Sequence, residues 1–127
     1  VTLEELLTQS DFISLHAPAA PGAPLINADT IAKMKPGALL INAARGPVVD
    51  SQALADALNE GRIAGAGIDV FEVEPPLDVN HPLLHSKNTI VTPHVAFASA
   101  ESMEARCHIV FDNITKWLAG EQVNVIL

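Results

Sequence analysis

Cysteine is nearly missing: Cys107 is the only one among 127 residues. A lone thiol cannot close an internal disulfide, and the count fits a reducing, cytoplasmic compartment. Positive charge is scarce as well. Seven Lys and Arg stand against fifteen Asp and Glu, a net charge of −8. Nucleic acid and anionic membrane surfaces both require a basic face, so neither is expected as a partner. No apolar run approaches the roughly 18 residues that span a bilayer. No charged segment leads into an apolar core, so no secretory signal is read. Internal repeats and low-complexity segments are missing too. Hydrophobic residues make up 49% of the chain and charged residues 17%. That balance describes a globular domain with enough apolar surface for one core.

One stretch organises the rest: Gly37-Ala-Leu-Leu-Ile-Asn-Ala-Ala-Arg-Gly-Pro-Val-Val-Asp50. A Pro-Gly turn leads into Ala38–Ile41, a short uncharged block that predicts a strand buried on both faces, as in a parallel sheet. Arg45 stands just past its end. Asp50 is placed to cap a helix over 51–60, closed by Gly61. In an open α/β sheet, the mouth of such a strand is where ligand-binding groups are found.

Around this stretch the chain alternates. A short helix follows Thr2, with Glu4 and Glu5 in its first turn. Phe12–His16 reads as a strand, and the Pro- and Gly-containing segment 19–24 as a loop. Residues 27–34 predict a helix capped by Asn27 or Asp29. Residues 63–71 predict a strand rich in Ala and Gly, and 88–92 another, halted at Pro93. Ser99 is placed to cap a long helix to about Leu118, with Gly120 behind it and a short extended tail over 123–127. Cys107 falls inside that helix and is expected in a core. Strands alternating with helices imply a parallel sheet with right-handed crossovers and no internal linker.

Three kinds of group stand at predicted strand ends: Arg45 after 38–42, Asp69 and Glu74 at and beyond the end of 63–71, and His94 after 88–92. Parallel strands bring their C-terminal ends to one edge. A guanidinium can hold a carboxylate in a bidentate fork. An imidazole can move a proton on or off a substrate oxygen, and a nearby carboxylate can orient the ring. Together they suit a carbonyl substrate bearing an acid group. Other candidates are weaker. His81 and His85 are four apart, but Pro82 lies between them and no third ligand is evident, so no metal site is expected. Gly65-Ala-Gly67 lacks the third glycine and the following helix of a dinucleotide fingerprint. Ser14 and Ser51 lack the G-x-S-x-G setting of a hydrolase nucleophile.

Three segments carry a family resemblance: Leu39 to Asp50, Gly65-Ala-Gly-Ile-Asp-Val-Phe-Glu-Val-Glu-Pro-Pro76, and Asn88-Thr-Ile-Val-Thr-Pro-His-Val-Ala96. In this order and at these separations they closely resemble the D-isomer-specific 2-hydroxyacid dehydrogenases. The resemblance covers essentially the whole chain. It implies NAD or NADP as cofactor and a small 2-oxo or 2-hydroxy acid as substrate. By it, Arg45 grips the substrate carboxylate, His94 is the general acid/base, and Glu74 supports His94. Asp69 faces the nicotinamide carboxamide, and Ala43 and Ala44 face its ribose. His16 and Pro18 line the cofactor crevice, which Arg45, His94 and Ala96 also border. Where the family often has Thr near Ala19 and Ala20, this chain has Ala.

The resemblance also implies a fold. The chain matches the C-terminal half of a Rossmann-like parallel α/β sheet with flanking helices, without the N-terminal G-x-G-x-x-G half and without the substrate domain. Residues 1–127 are thus expected to be the C-terminal portion of an NAD(P)-binding domain, ending in the helix over about 99–118 and a short tail. Half a sheet exposes apolar surface, so a homo-oligomer, a dimer above all, is expected. Two alternatives to the enzyme stay open: a dinucleotide-sensing module like the co-repressors of this group, and an inactive truncated fragment.

Overall fold

The computed structural model describes every residue except Glu74 and Leu127. It divides into two compact units, Val1–His94 and Val95–Leu127, at a point where the sequence shows no linker. Among the described residues, the first unit holds four strands, three α-helices and two short 3-10 turns. Helix α1 (Leu3–Gln9) starts at Thr2, whose hydroxyl accepts from the Glu5 N–H while the Glu5 carboxylate accepts from the Thr2 N–H. This reciprocal cap satisfies donors that the first turn leaves unpaired. Strand β1 (Phe12–Leu15) follows. Helix α2 (Ala28–Ile31) is capped by Asn27 and is shorter than the predicted 27–34. It stops because Lys33 and Met34 donate to the carbonyls three residues back, Thr30 and Ile31, which tightens the last turn.

Strand β2 (Leu39–Asn42) leads through the Arg45 segment to helix α3 (Ser51–Asn59). The Asp50 carboxylate accepts from the Ala53 N–H at 3.0 Å, and Gly61 at φ 72° ends the helix. Only glycine enters that left-handed region without steric penalty. Strand β3 covers Gly65–Ile68, less than the predicted 63–71, and strand β4 covers Thr89–Val91. All pairings are parallel and the order is β1-β2-β3-β4.

That sequential order has a consequence for burial. Right-handed crossovers between strands added in one direction lay every connection on the same face of the sheet. The register puts Ile13, Leu40 and Ala66 in one row and Leu15, Asn42 and Ile68 in the next. All six are buried, and the core they share includes Leu7, Ile31, Leu54 and Leu58 of the helices. The opposite row reads Ser14, Ile41, Gly67 and Ile90, and there Ile41 and Ile90 are 41% and 73% exposed. The expectation of a β2 buried on both faces is therefore corrected: one face is core and the other is open.

The second unit is built on helix α4 (Ala100–Leu118), capped by Ser99 accepting from the Ser102 N–H, with Gly120 at φ 83° behind it. None of its residues is buried. Cys107, expected in a core, is exposed. Residues 121–126 form no strand; Asn124 turns back at φ 55° and its amide donates to the Asn113 side chain. Among the described residues, no helix is long and apolar enough to cross a membrane.

Candidate active site

The C-terminal edge of the sheet is tied across three strands. Beyond the regular ladder, the Asp69 N–H donates to the Asn42 carbonyl, and the His94 N–H donates to the Asp69 carbonyl, both at 2.9 Å. These two rungs bring the ends of β2, β3 and β4 into one line. They also explain why β3 ends early: past Ile68 the chain makes single rungs and then leaves the sheet.

Each strand end is further shaped by side chains. Asn42 is 1% exposed. Its amide nitrogen donates to the Arg45 carbonyl and its amide oxygen accepts from the Ala44 N–H, at 3.0 and 3.1 Å. A buried amide bonded at both ends holds the Ala43–Arg45 turn open. Arg45 is exposed and extended, with its guanidinium donating to the Ala44 carbonyl at 2.7 Å. The next residue must be glycine. A Cβ on Gly46 would lie 1.9 Å from the backbone of Phe71 and 2.3 Å from the Glu72 nitrogen. The Arg45 segment is thus pressed directly against the chain leaving β3.

Asp69 is buried, and the Thr92 hydroxyl donates to its carboxylate at 2.5 Å. His94 sits at φ 56°. A side chain in that region costs roughly 1–2 kcal/mol. Non-glycine residues held there cluster at functional sites.

Seven of the residues predicted for the site line two clefts. His16, Pro18, Ala43, Ala44 and Arg45 line one of about 390 Å³ at the ends of β1 and β2. His16 is exposed and shares a 2.9 Å hydrogen bond with the Ser14 hydroxyl. Asp69 and His94 line a second cleft of about 230 Å³, walled by Phe71, Val73, Pro75 and Leu84. Ala96 belongs to the second unit. Glu74 lies outside the described residues. Two other histidines of the first unit have local partners: His81 Nε2 meets Glu72 at 3.2 Å, and His85 Nε2 meets the Val79 carbonyl at 2.7 Å.

Sequence reasoning missed Asn42, Gly46 and Thr92. For the first two a signal was present: a polar amide closing an apolar strand, and a glycine directly after the one cation at its mouth. The first cleft suits a dinucleotide in one respect. Ala43 and Ala44 carry no side chain past Cβ, so a ligand can approach the backbone that Asn42 holds.

Comparison with known proteins places the chain among relatives. A family model described as "D-isomer specific 2-hydroxyacid dehydrogenase, NAD binding domain" matches residues 1–96. A hydroxypyruvate reductase of Blautia hydrogenotrophica is 45% identical over 127 residues, covering 99% of this chain and 39% of that protein. A glycerate dehydrogenase of Methylorubrum extorquens is 48% identical over 128 residues, covering 99% and 41%. The solved structure of a D-lactate dehydrogenase from Treponema pallidum superposes with a TM-score of 0.86 at 43% identity, covering 100% of this chain and 43% of that one. The chain thus spans about two fifths of the length of each of these three relatives.

Proposed function

The chain belongs to the D-isomer specific 2-hydroxyacid dehydrogenase family, and on that footing we propose that it supplies the proton-handling and cofactor-facing edge of an NAD(P)-dependent oxidoreductase acting on a small 2-oxo or D-2-hydroxy acid. Residues 1–127 are then the C-terminal portion of the nucleotide-binding domain. A nicotinamide bound here would supply the hydride chemistry at C2 of the substrate. The chain's own residues do the rest. Arg45, exposed at the mouth of β2, pairs with the substrate carboxylate. His94 gives a proton to the C2 oxygen in reduction and takes it back in oxidation. Asp69 hydrogen-bonds the carboxamide of the ring, and Glu74 keeps the His94 imidazole oriented. His16, Pro18, Ala43, Ala44 and Ala96 border the dinucleotide. The whole protein is read as a cytoplasmic homo-oligomer.

The observation that supports this best is the pair of rungs from Asn42 to Asp69 to His94, with His94 held at φ 56°. The test is 2-oxo-acid-dependent oxidation of NADH by the whole protein and its His94→Ala variant. Loss of the imidazole is expected to lower kcat by about 10²-fold or more. An unchanged rate would remove His94 from the reaction. NADH binding without any 2-oxo acid turnover would favour the dinucleotide-sensing module.

A further inference from the structure

The chain leaving β3 is held by a second histidine–carboxylate pair, away from the assigned proton path. Glu72 Oε2 lies 3.2 Å from His81 Nε2. The His81 side chain is only 13% exposed. Its other nitrogen, Nδ1, accepts from the Leu83 N–H at 3.3 Å, and Leu83 is buried in the core. A neutral imidazole that accepts at Nδ1 carries its proton on Nε2, so the ring donates to Glu72. The Phe71 ring packs edge-to-face on the same imidazole, with centroids 5.1 Å apart. Ser51, the first residue of α3, lines the same cleft as Glu72 and His81. Burial pushes the Glu72 pKa up, but the hydrogen bonds from Ser51, its own backbone and His81 outweigh this and leave it below the ordinary glutamate value.

These contacts meet at one place. The Phe71–Glu72 backbone rests on Gly46, one residue after Arg45. Glu74 follows two residues later in sequence. A shift of this dipeptide would therefore move the Arg45 arm and the chain leaving β3 relative to each other.

We propose that Glu72 and His81 are positioning residues: a hydrogen-bonded latch that anchors the Phe71–Glu72 backbone to the core and so sets the spacing between the Arg45 arm and the chain leaving β3. The catalytic consequence rests on the dehydrogenase reading above; the latch itself does not. Neither residue touches substrate in this assignment. The latch acts through geometry, where a displacement of about 1 Å can cost up to 10²-fold in rate.

Two substitutions of one residue separate the latch from the local cap. His81→Gln places an amide nitrogen near the position of Nε2 and keeps a donor for Glu72. His81→Asn keeps an acceptor near the position of Nδ1 for Leu83 but cannot reach Glu72. Together with Glu72→Ala, these are made in the whole protein and read in two ways. By amide hydrogen exchange, Glu72→Ala and His81→Asn are expected to speed exchange over 69–73 and at His94 while the α3 interior stays protected, and His81→Gln to stay close to the parent. By kinetics, Glu72→Ala and His81→Asn are expected to lower kcat about tenfold and raise KM for the 2-oxo acid, with the Kd for NADH unchanged, and His81→Gln to recover most of the loss. Equal exchange in His81→Gln and His81→Asn, or parent-like exchange in Glu72→Ala, would overturn the latch. Kinetics within twofold of the parent in all three variants would overturn its catalytic consequence. A parent protein that turns over no 2-oxo acid would sink the dehydrogenase reading instead, and the exchange data would still decide the latch.

Discussion

Helices α3 and α4 begin and end alike, yet one is core and the other is not. Each starts at a capping oxygen, Asp50 or Ser99, that accepts a backbone N–H three residues on, and each is followed by a glycine at positive φ. The nine residues of α3 include five that are buried; the nineteen of α4 include none. Ile109, Phe111, Ile114 and Trp117 of α4 are all exposed. The difference lies in the connections. Helix α3 is the crossover between the adjacent parallel strands β2 and β3, and closing that connection lays it on the sheet. Helix α4 follows the last strand and crosses over to nothing in this chain. Its support is local: the Ser99 cap and an Asp112–Lys116 pair at 2.8 Å, one helical turn apart. Caps make a helix; topology decides whether its apolar side chains are covered.

The contrast can be broken at its strongest point first. Leu54 is fully buried in α3. Leu54→Ala is expected to destabilise the protein by about 2–5 kcal/mol, measured by urea unfolding. A loss below about 1 kcal/mol would mean that α3 is not the core helix it looks like. A smaller effect distinguishes how the two N-termini are served. Beside the start of α3 the carboxylate with a lowered pKa, Glu72, comes from another segment, whereas at the start of α4 it is Glu101 of the helix's own first turn. Glu72 has a folded pKa below its ordinary value of 4.5. Its contribution is therefore fully present above about pH 4.5 and is lost as pH falls through the folded value. The stability difference between the parent and Glu72→Gln, followed by thermal unfolding from pH 7 to pH 3, should be constant at first and shrink below that point. A difference that grows on acidification would reverse the sign of the argument. Smallest of all, Phe111→Ala on the exposed face of α4 should change the stability of this 127-residue chain by about 0.5 kcal/mol or less. A loss near that of Leu54→Ala would show that this face is covered in solution.

The strand ends proposed as the site were readable where a polar group follows an apolar block: a backbone hydrogen bond joins Asp69 and His94, while Arg45 lines a separate cleft. The supports of these ends were harder to read. Asn42 looks in sequence like a strand terminator, and only its burial shows that it staples the Arg45 turn. Glu72 and His81 are nine residues apart across a Pro-containing loop, and no local spacing rule pairs them. The reading of Cys107 failed for a related reason. Amphipathic periodicity says which face of α4 is apolar, not whether anything packs on it.

By itself the sequence determined the local elements, since turns, caps and apolar blocks act over a few residues: Thr2, Asn27, Asp50 and Ser99 start helices, and β1 to β4 fall within or close to their predicted limits. It determined the family as well, because three long motifs in order are specific. Only the tertiary structure decided the strand order, the open face beside Ile41 and Ile90, the contact of Gly46 with Phe71 and Glu72, and the latch at His81. These depend on how segments far apart in sequence are brought together in space, and nothing within a few residues of any of them encodes that distance.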